Sequence, residues 1–315
     1  MVAARTTLSR LRNYNSYLSS FPSNVQSTYF EHLIGEVFSH ILFLPFYTIS
    51  SDDATKTHRV TWMGDLSPVT RAPPGPDAIA RCHGFYLTLE PTLRTGARQW
   101  RYEFASAIRH SENFADSEGL ERRDVFCIII CSRLSQDTYI SIKSNPSQKC
   151  SIVPITISNL AIILQTSILA FTSGHSELRE LLQKISNYIS ISSSLNDFSK
   201  TIDDYILNWQ KDVLRKEMNI FIGLASYKIM KKIGRNVISE SEIMGELLKN
   251  PFVRQYLNII ETKPTPEKIE SGLLHCNLAC CTRARVNNER MFEMIDCAEF
   301  KQRIERFLVK VDEIN

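Results

Sequence analysis

The apolar run Val125–Ser132 (VFCIIICS) limits the choice of fold more strongly than any other segment. It has the length of a strand and shows no alternation of polar and apolar residues, so both of its faces need to be covered. Such strands lie in the centre of a sheet with helices on either side. Phe85–Leu93 and Cys150–Ile155 predict two further strands, and Ser158 predicts the N-cap of a following helix. The sequence therefore predicts an α/β unit.

The periodicity around this strand predicts the elements that would cover it. A long helix is expected over Val25–Leu44, where apolar side chains recur at helical spacing. Short extended pieces are expected at Phe46–Ile49 and His58–Met63, and Gly96 is expected to open a helix that runs to about His110. Thr138–Lys143 alternates and predicts another strand.

Beyond Phe171 the pattern becomes purely helical, and Gly174 and His175 mark a domain boundary. We therefore expect an α/β domain over residues 1–172 and an all-helical domain over residues 173–315. The chain contains neither a G-x-G-x-x-G nor a P-loop motif, which argues against a nucleotide-binding fold. The helices expected in the second domain are Leu178–Ile189, Phe198–Leu214, Asn219–Ile233, Ser241–Leu248, Pro251–Ile260 and Glu289–Val311.

The composition is that of an ordinary globular protein. Of the 315 residues, 43% are hydrophobic and 23% are charged, which argues against a disordered tail or a disulfide miniprotein. No apolar run reaches the roughly 18 residues of a membrane helix, so no membrane association is expected. Arg5, Arg10 and Arg12 precede no apolar segment, which argues against a signal peptide, although transit peptides share this Arg- and Ser-rich composition. We expect a cytoplasmic location.

The eight cysteines fit a reducing compartment. Cys127 and Cys131 lie within the apolar run and are expected to be buried free thiols. Another group combines one histidine with several cysteines, namely His275, Cys276, Cys280, Cys281 and Cys297. These residues could hold zinc, but the C-x-x-x-C-C spacing lacks the paired C-x-x-C units of structural zinc sites, so packing on a helix face is the alternative.

The net charge of +3 does not by itself indicate a nucleic-acid binder. Basic residues are nevertheless concentrated between Arg71 and His110, where six arginines enclose Asp77, Glu90 and Glu103. A basic stretch around a few acids suits a site that binds both a metal ion and a polyanion.

The three acids are evenly spaced, with 13 residues from Asp77 to Glu90 and 13 from Glu90 to Glu103. Asp77 ends a Pro- and Gly-rich loop, Glu90 lies on a predicted strand and Glu103 on a predicted helix, so a strand–turn–strand–helix unit would bring them together. Carboxylate oxygens hold Mg²⁺, which neutralises a phosphate and activates a bound water molecule. Each acid taken alone also has an ordinary explanation, as a turn residue or as an exposed side chain.

The segments G-P-D, L-E-P-T, G-A-R-Q-W-R-Y-E-F and I-R-H resemble the motif of PD-(D/E)xK nucleases, and most closely the AlwI-type branch of type IIS restriction and nicking endonucleases. In that branch the site also consists of an Asp, a Glu within E-x-T, a further Glu on the next helix and a later His. The resemblance extends over about Val25 to Leu164. It implies a restriction-endonuclease-like core with a mixed central sheet flanked by helices, and in-line attack of water that leaves a 5′-phosphate.

The resemblance also implies roles for individual residues. Asp77 and Glu90 would bind Mg²⁺, with the Pro91 carbonyl as a third ligand. Glu103 would position the attacking water or a second metal ion, and His110 would contact phosphate or water.

Two further positions bear on catalysis. Glu31, on the long first helix, matches the acid that precedes the P-D element in this branch; an exposed helix acid is the alternative. Thr92 stands where most of the superfamily has lysine, a departure that the AlwI-type branch shares. It leaves open which group orients the water, and Gln99 and Glu103 are the candidates.

The resemblance implies a Mg²⁺-dependent, sequence-specific restriction endonuclease of type II or IIS that hydrolyses double-stranded DNA. One alternative is a catalytic or nicking subunit that relies on a partner subunit, or a homodimer, and another is a non-catalytic DNA-binding protein with a nuclease fold. RNA cleavage is disfavoured only by the resemblance. The residues expected to contact DNA are Arg94, Arg98, Gln99, Lys231, Lys232 and Arg235.

The C-terminal basic residues precede a helix from Ser239 and another from Pro251, which suggests a helix-turn-helix-like module. Glu240, Glu242 and Glu246, on the helix from Ser239 that would be the recognition helix, would repel phosphate. A packing bundle with a basic edge, which serves only assembly, is therefore the alternative.

Overall fold

The computed structural model describes residues 2–48, 59–62, 75–99, 103–144, 147, 149–170, 175–233, 237–260, 265–275, 279–286 and 289–294. The strands are β1 (Phe46–Thr48), β2 (Arg59–Trp62), β3 (Ala78–Cys82), β4 (Phe85–Thr92), β5 (Val125–Cys131), β6 (Ser151–Thr156), β7 (Val237–Ser239), β8 (Ala279–Val286) and β9 (Glu289–Met294). The helices are α1 (Val2–Arg12), α2 (Tyr14–Ser19), α3 (Gln26–Leu42), α4 (Ala97–Gln99), α5 (Ala105–Ser117), α6 (Gln136–Ser144), α7 (Ile157–Leu169), α8 (His175–Ile191), α9 (Leu195–Ile233), α10 (Glu240–Leu247), α11 (Pro251–Ile260) and α12 (Pro266–His275).

A six-stranded mixed sheet with the order β1-β2-β3-β4-β5-β6 carries the N-terminal part of the fold. The strands β2, β3 and β4 are antiparallel neighbours, whereas β4, β5 and β6 are parallel. The strands β1 and β2 are also parallel. Parallel neighbours need crossover connections, and α5 and α6 lie in those from β4 to β5 and from β5 to β6. Every residue of β5 is buried, as its unbroken apolar run predicts. The predicted α/β core with a mixed sheet flanked by helices is confirmed.

The hairpin of β3 and β4 sets the register at the centre of this sheet. Its turn consists of His83 and Gly84, and Gly84 has a φ of 79°, which L side chains rarely adopt. From this turn the strands pair in register as far as Ala78 and Leu89. The positions that follow these two residues at the open end of the hairpin are Asp77 and Glu90.

The strand predicted over Thr138–Lys143 is wrong, because this segment belongs to α6. Thr138, Tyr139 and Ile142 are buried, at the spacing of one helix face. The hydroxyl of Ser135 accepts a hydrogen bond from the backbone N–H of Thr138 at 3.1 Å, as an N-cap residue does. The short segment fits a period of two as well as the helical period, and the cap decides between them.

The chain divides into two compact units, and the division differs from the predicted boundary near residue 172. Unit 1 comprises Met1–Ile168 and Ser173–Trp209, and unit 2 comprises Leu169–Thr172 and Gln210–Asn315. The division after Trp209 falls inside α9, a helix of 39 residues that replaces the two helices predicted there. Apolar side chains of α8 and of the first half of α9 complete the core of unit 1, including Leu182, Ile185 and Ile206.

Unit 2 is not all-helical, which corrects the prediction for this part. It holds α10, α11 and α12 together with a three-stranded sheet of order β7-β9-β8. A helix was predicted over Glu289–Val311, but its first residues, Glu289–Met294, form β9. The remainder of that predicted helix lies outside the described residues. Pairing of β9 with strands on both sides overrides its local sequence preference.

Several cysteines are buried thiols. Cys127 and Cys131 are free and fully buried, as predicted. Of the residues named for zinc, Cys276 and Cys297 lie outside the described part of the chain, as do the side chains of His275, Cys280 and Cys281, so that site stays a prediction. No described helix combines the length and the apolar character needed to cross a membrane.

Candidate active site

Asp77 and Glu90 are brought side by side by the β3–β4 hairpin. Ala78 begins β3 and is paired with Leu89, so Asp77 directly precedes β3 beside the strand position of Glu90. Residues that flank the end of an antiparallel pair lie close together. The hairpin thereby bridges a separation of 13 residues in sequence, from 77 to 90.

Two other carboxylates act on this pair. Burial raises the pKa of Asp77 well above its usual range, and the charges of Glu90, Glu31 and Glu103 raise it further. Burial likewise raises the pKa of Glu90, followed by the charges of Glu103 and Glu31. The structure therefore brings all four predicted acids into one electrostatic cluster, although Glu31 comes from α3 and Glu103 lies just before α5.

Glu103 is more exposed than Glu90 and has its own cationic partner. The side chain of Glu103 is 37% exposed, and its carboxylate forms an ion pair with the Arg94 guanidinium at 2.5 Å. Arg94 follows β4 closely, and its backbone N–H donates to the hydroxyl of Thr92 at 3.0 Å. The Arg94 side chain is therefore a cation beside the acid cluster, two positions beyond Thr92.

His110 completes the predicted set. Its Nδ1 lies 3.3 Å from a carboxylate oxygen of Glu90. Burial lowers the pKa of His110, and the charge of Arg109 lowers it further. The raised pKa of Glu90 and the lowered pKa of His110 both work against an ion pair at this contact.

The helix that carries His110 is held on the sheet by polar contacts. The hydroxyls of Thr88 and Ser111 lie 2.5 Å apart, both buried, and join β4 to α5. The thiol of Cys127 on β5 donates to the carbonyl of Ala107 on α5 at 3.8 Å. Thr88 and Glu90 are two positions apart on β4 and so share a face of the sheet, which is why α5 also reaches Glu90.

Gln99 has a structural role. It is 1% exposed, which argues against a contact with DNA, and it lines the same small cavity as Glu90 and Glu103, so its role in orienting a water molecule stays a prediction. Its Nε2 donates to the carbonyls of Arg94 and Arg133, and its Oε1 accepts from the backbone N–H of Ser135 and the hydroxyl of Thr138. This one amide ties the loop after β4 to the segment between β5 and α6.

The other predicted DNA contacts are distributed over both units. Arg98 is exposed on α4, and Lys231 and Lys232 are exposed at the end of α9. Arg235 lies outside the described residues. The sequence interpretation did not include Arg133, an exposed cation two residues after β5 at the same sheet edge as Thr92, since Thr92 pairs with Cys131. A basic residue two positions after the most buried strand is the signal that points to it.

The donor set of the site fits Mg²⁺ or a similar cation. Asp77 and Glu90 provide adjacent carboxylates, and Pro91 provides a carbonyl next to one of them. Within the described ranges, no three Asp, Glu, His or Cys side chains are grouped closely enough to hold a metal ion by themselves. Mg²⁺ is usually bound by one or two carboxylates and keeps several water ligands.

Comparison with known proteins finds a family model that matches the part of the chain that holds these residues. Residues 22–163 match the model of the AlwI restriction endonuclease family. The matched segment contains Glu31, Asp77, Glu90, Glu103 and His110, and it lies within unit 1.

The resemblance to AlwI-type endonucleases is thus confirmed over somewhat less than half of the chain. A solved structure, the small subunit of the heterodimeric restriction endonuclease R.BspD6I, is 16% identical, with a TM-score of 0.48, and the match covers 65% of this chain and 98% of that one. No curated protein sequence matches the chain significantly. Most of unit 2 lies beyond the segment that matches the AlwI family.

Proposed function

We propose that this protein is a Mg²⁺-dependent, sequence-specific endonuclease that hydrolyses phosphodiester bonds of double-stranded DNA, as type II restriction enzymes do. The observation that carries the proposal is the gathering of Asp77, Glu90, Glu103 and Glu31 in one partly buried cluster. Buried carboxylates destabilise a fold unless a cation or a hydrogen-bond network compensates for their charge. The family match over residues 22–163 supports DNA as the substrate, and a DNA substrate is consistent with a cytoplasmic location.

The metal-binding part of the site would consist of Asp77, Glu90 and the Pro91 carbonyl. Bound Mg²⁺ would supply neutralisation of the scissile phosphate and a water molecule of lowered pKa. Glu31 would add negative charge that favours a divalent cation over a monovalent one, since it already acts on both Asp77 and Glu90.

The remaining residues would handle the water and the phosphate. The Glu103 carboxylate is accessible enough to orient the attacking water and to accept its proton, and Arg94 holds that carboxylate in place. His110 uses Nδ1 to hydrogen-bond Glu90, so its Nε2 is the atom that would contact water, or phosphate when the imidazole is protonated. Arg98 and Arg133, which are exposed, would contact the DNA backbone.

The number of sites favours a second candidate, a catalytic or nicking subunit. The described residues contain one carboxylate cluster of this kind, and one such cluster cleaves one strand at a time. Cutting both strands would then require a second copy of this chain or a partner subunit. The form of the product distinguishes the two, because a nicking subunit yields open circles from a supercoiled plasmid and a double-strand endonuclease yields linear DNA.

Cleavage of supercoiled plasmid with and without Mg²⁺ tests the proposal. We expect cleavage only with the metal, and Glu90→Ala should reduce it by about 10²–10³-fold, the loss typical of removing charge stabilisation of the transition state. Asp116→Asn is the matched control, since Asp116 is an exposed acid of α5 whose partner is Lys149. Undiminished cleavage by the Glu90 variant would refute the site, and binding of duplex DNA in Ca²⁺ without any cleavage in Mg²⁺ would indicate a non-catalytic protein. An RNA panel run alongside tests the choice of nucleic acid.

A further inference from the structure

The order of helices and strands in unit 2 is that of a known type of DNA-binding domain. The strand β7 follows α9 and precedes α10, and the hairpin of β8 and β9 follows α12. In the sheet the order is β7-β9-β8, with β9 antiparallel to both neighbours. Winged helix-turn-helix domains have this arrangement: a helix, a strand, a helix–turn–helix, and a hairpin whose last strand pairs with the first strand. In this unit α12 is an additional helix.

The helix–turn–helix consists of α10 and α11. The first helix ends at Leu247 and the second begins at Pro251, so three residues form the turn, the length usual for this motif. Val253, Tyr256 and Ile260 form the buried face of α11 in the core of this unit, and Tyr256 packs edge-on against Phe221 of α9 with ring centroids 5.2 Å apart. The orientation of α11 is therefore fixed by packing.

The outer face of α11 carries the side chains that read base edges. Arg254, Gln255 and Asn258 are exposed, and the helix contains no acidic residue. Arginine forms bidentate hydrogen bonds with guanine, and glutamine and asparagine form them with adenine. The second helix of a helix-turn-helix is the one that enters the major groove.

The acids that argued against DNA binding lie on the first helix and have structural partners. Glu242 forms a capping box with Ser239, since each side chain bonds the backbone N–H of the other residue. Glu246 forms an ion pair with Lys249 in the turn at 2.9 Å. Arg290 on β9 is paired with Glu267 and Glu270 on α12, so this arginine supports the fold and we do not include it among the DNA contacts.

Lysines next to α11 provide the contacts to phosphate. Lys228, Lys231 and Lys232 are exposed near the end of α9. Lys228 lines the same cavity as Asn250 and Pro251 at the N-terminus of α11, together with the ion pair of Lys249 and Glu246. Positive side chains beside a helix N-terminus form a favourable environment for a DNA phosphate.

We propose that unit 2 is a winged helix-turn-helix module that binds duplex DNA with α11 in the major groove, where Arg254, Gln255 and Asn258 read the sequence. This inference rests on the proposed function only in taking the endonuclease's DNA as its ligand. It assigns sequence recognition to this chain itself and not to a partner subunit.

The test uses the full chain with Glu90→Gln as background, so that cleavage does not enter the measurement. The probe is a library of short duplexes with a randomised centre, selected by binding and then sequenced. The background protein should enrich one short motif. Adding Gln255→Ala and Asn258→Ala should remove the preference at the motif positions that these two residues read, while non-specific affinity changes less than about threefold, since each bidentate base contact contributes discrimination. Replacing Lys228, Lys231 and Lys232 with Gln should weaken binding to all sequences and reduce the slope of log K against log salt by about 2–3.

Arg215→Ala is the matched control, because Arg215 is an exposed arginine of α9 that pairs with Asp212. It should leave both the motif and the affinity unchanged, and far-UV circular dichroism verifies that each variant is folded. An unchanged motif after the Gln255 and Asn258 substitutions, the absence of any enriched motif, or preferential binding of single strands or RNA would each overturn the inference. A nuclease proposal that fails in the plasmid assay leaves this binding result intact, so the two failures are distinguishable.

Discussion

The raised pKa of Glu90 has a consequence for stability. The unfolded chain ionises this group near its usual pKa of 4.5, whereas the folded chain resists ionisation because of burial and neighbouring carboxylates. A group whose pKa is raised on folding contributes stability at low pH and loses that contribution as the pH rises through the folded pKa. At neutral pH and without metal, Glu90 and Asp77 therefore destabilise the fold.

We expect Glu90→Gln to stabilise the metal-free protein at pH 8 by on the order of 1–3 kcal/mol, because the amide removes the charge but keeps the volume. Thermal unfolding in EDTA at pH 8 and pH 4.5 measures this, and the gain should shrink at the lower pH. Asp116→Asn should show no comparable gain. Added Mg²⁺ should raise the Tm of the wild type but not of the Glu90 variant, and an equal response of both would argue against metal binding here.

Single residues also explain how far the site could be predicted. The proximity of Asp77, Glu90, Glu103 and His110 could be predicted from residue type, spacing and order, because an antiparallel hairpin followed by a helix brings regularly spaced residues together. The enclosure of Gln99 could not be predicted, because burial is not visible in sequence: a polar residue at the start of a helix suggests an exposed contact, and only the fold shows that its amide is enclosed.

The Gln99 amide connects the loop after β4, the segment between β5 and α6, and α6 itself. We can therefore predict what its removal costs. Gln99→Leu leaves the carbonyls of Arg94 and Arg133 and the donors of Ser135 and Thr138 without this partner, which should cost about 2–4 kcal/mol of stability. Chemical denaturation measures the loss. Gln136→Leu, at an exposed position that begins α6, should cost less than about 0.5 kcal/mol, and equal losses would contradict the role of Gln99.

The turn of the β3–β4 hairpin depends on the backbone conformation of Gly84, which gives a second prediction about a secondary-structure element. Gly84→Ala should destabilise the fold by about 1–2 kcal/mol, since its φ of 79° is costly for a residue with a Cβ. Gly245→Ala, in α10 with open space around it, should instead stabilise by about 0.5–1 kcal/mol. Thermal unfolding of both variants gives the signs, and a stabilising effect at Gly84 would exclude backbone strain as the constraint on this turn.

Elements with two covered faces were predicted more reliably than short ones. The apolar run that forms β5 fits only a central strand covered on both faces, whereas the pattern of Thr138–Lys143 fits both a helix and a strand. The strand β9 was predicted as part of a helix because the partners that make it a strand, β7 and β8, are distant in sequence. Local patterns do not contain that information.

At the scale of the whole molecule, the division of α9 between the units corrects the predicted domain boundary. The change from mixed to helical periodicity near residue 172 is real in the sequence, but α8 and half of α9 belong to the core of unit 1. Periodicity reports the type of an element and not the core against which it packs.

Truncation tests this division. A chain that ends at Trp209 should unfold cooperatively, whereas one that ends at residue 172 should lose its cooperative transition because it lacks Leu182, Ile185 and Ile206, which are fully buried. Near-UV circular dichroism with thermal denaturation measures both. A stable, cooperative chain ending at residue 172 would show that α8 and α9 are dispensable for unit 1.

The sequence by itself determined the α/β class, the central strand and the set of acids, because burial on both faces and regular spacing leave a record in residue order. Tertiary structure alone decided that Gln99 is enclosed, that β9 is a strand, that α9 is shared by two units and that α11, free of acids, presents Arg254, Gln255 and Asn258. These features depend on contacts between residues far apart in the chain, whose free energy exceeds the local preferences that sequence patterns express.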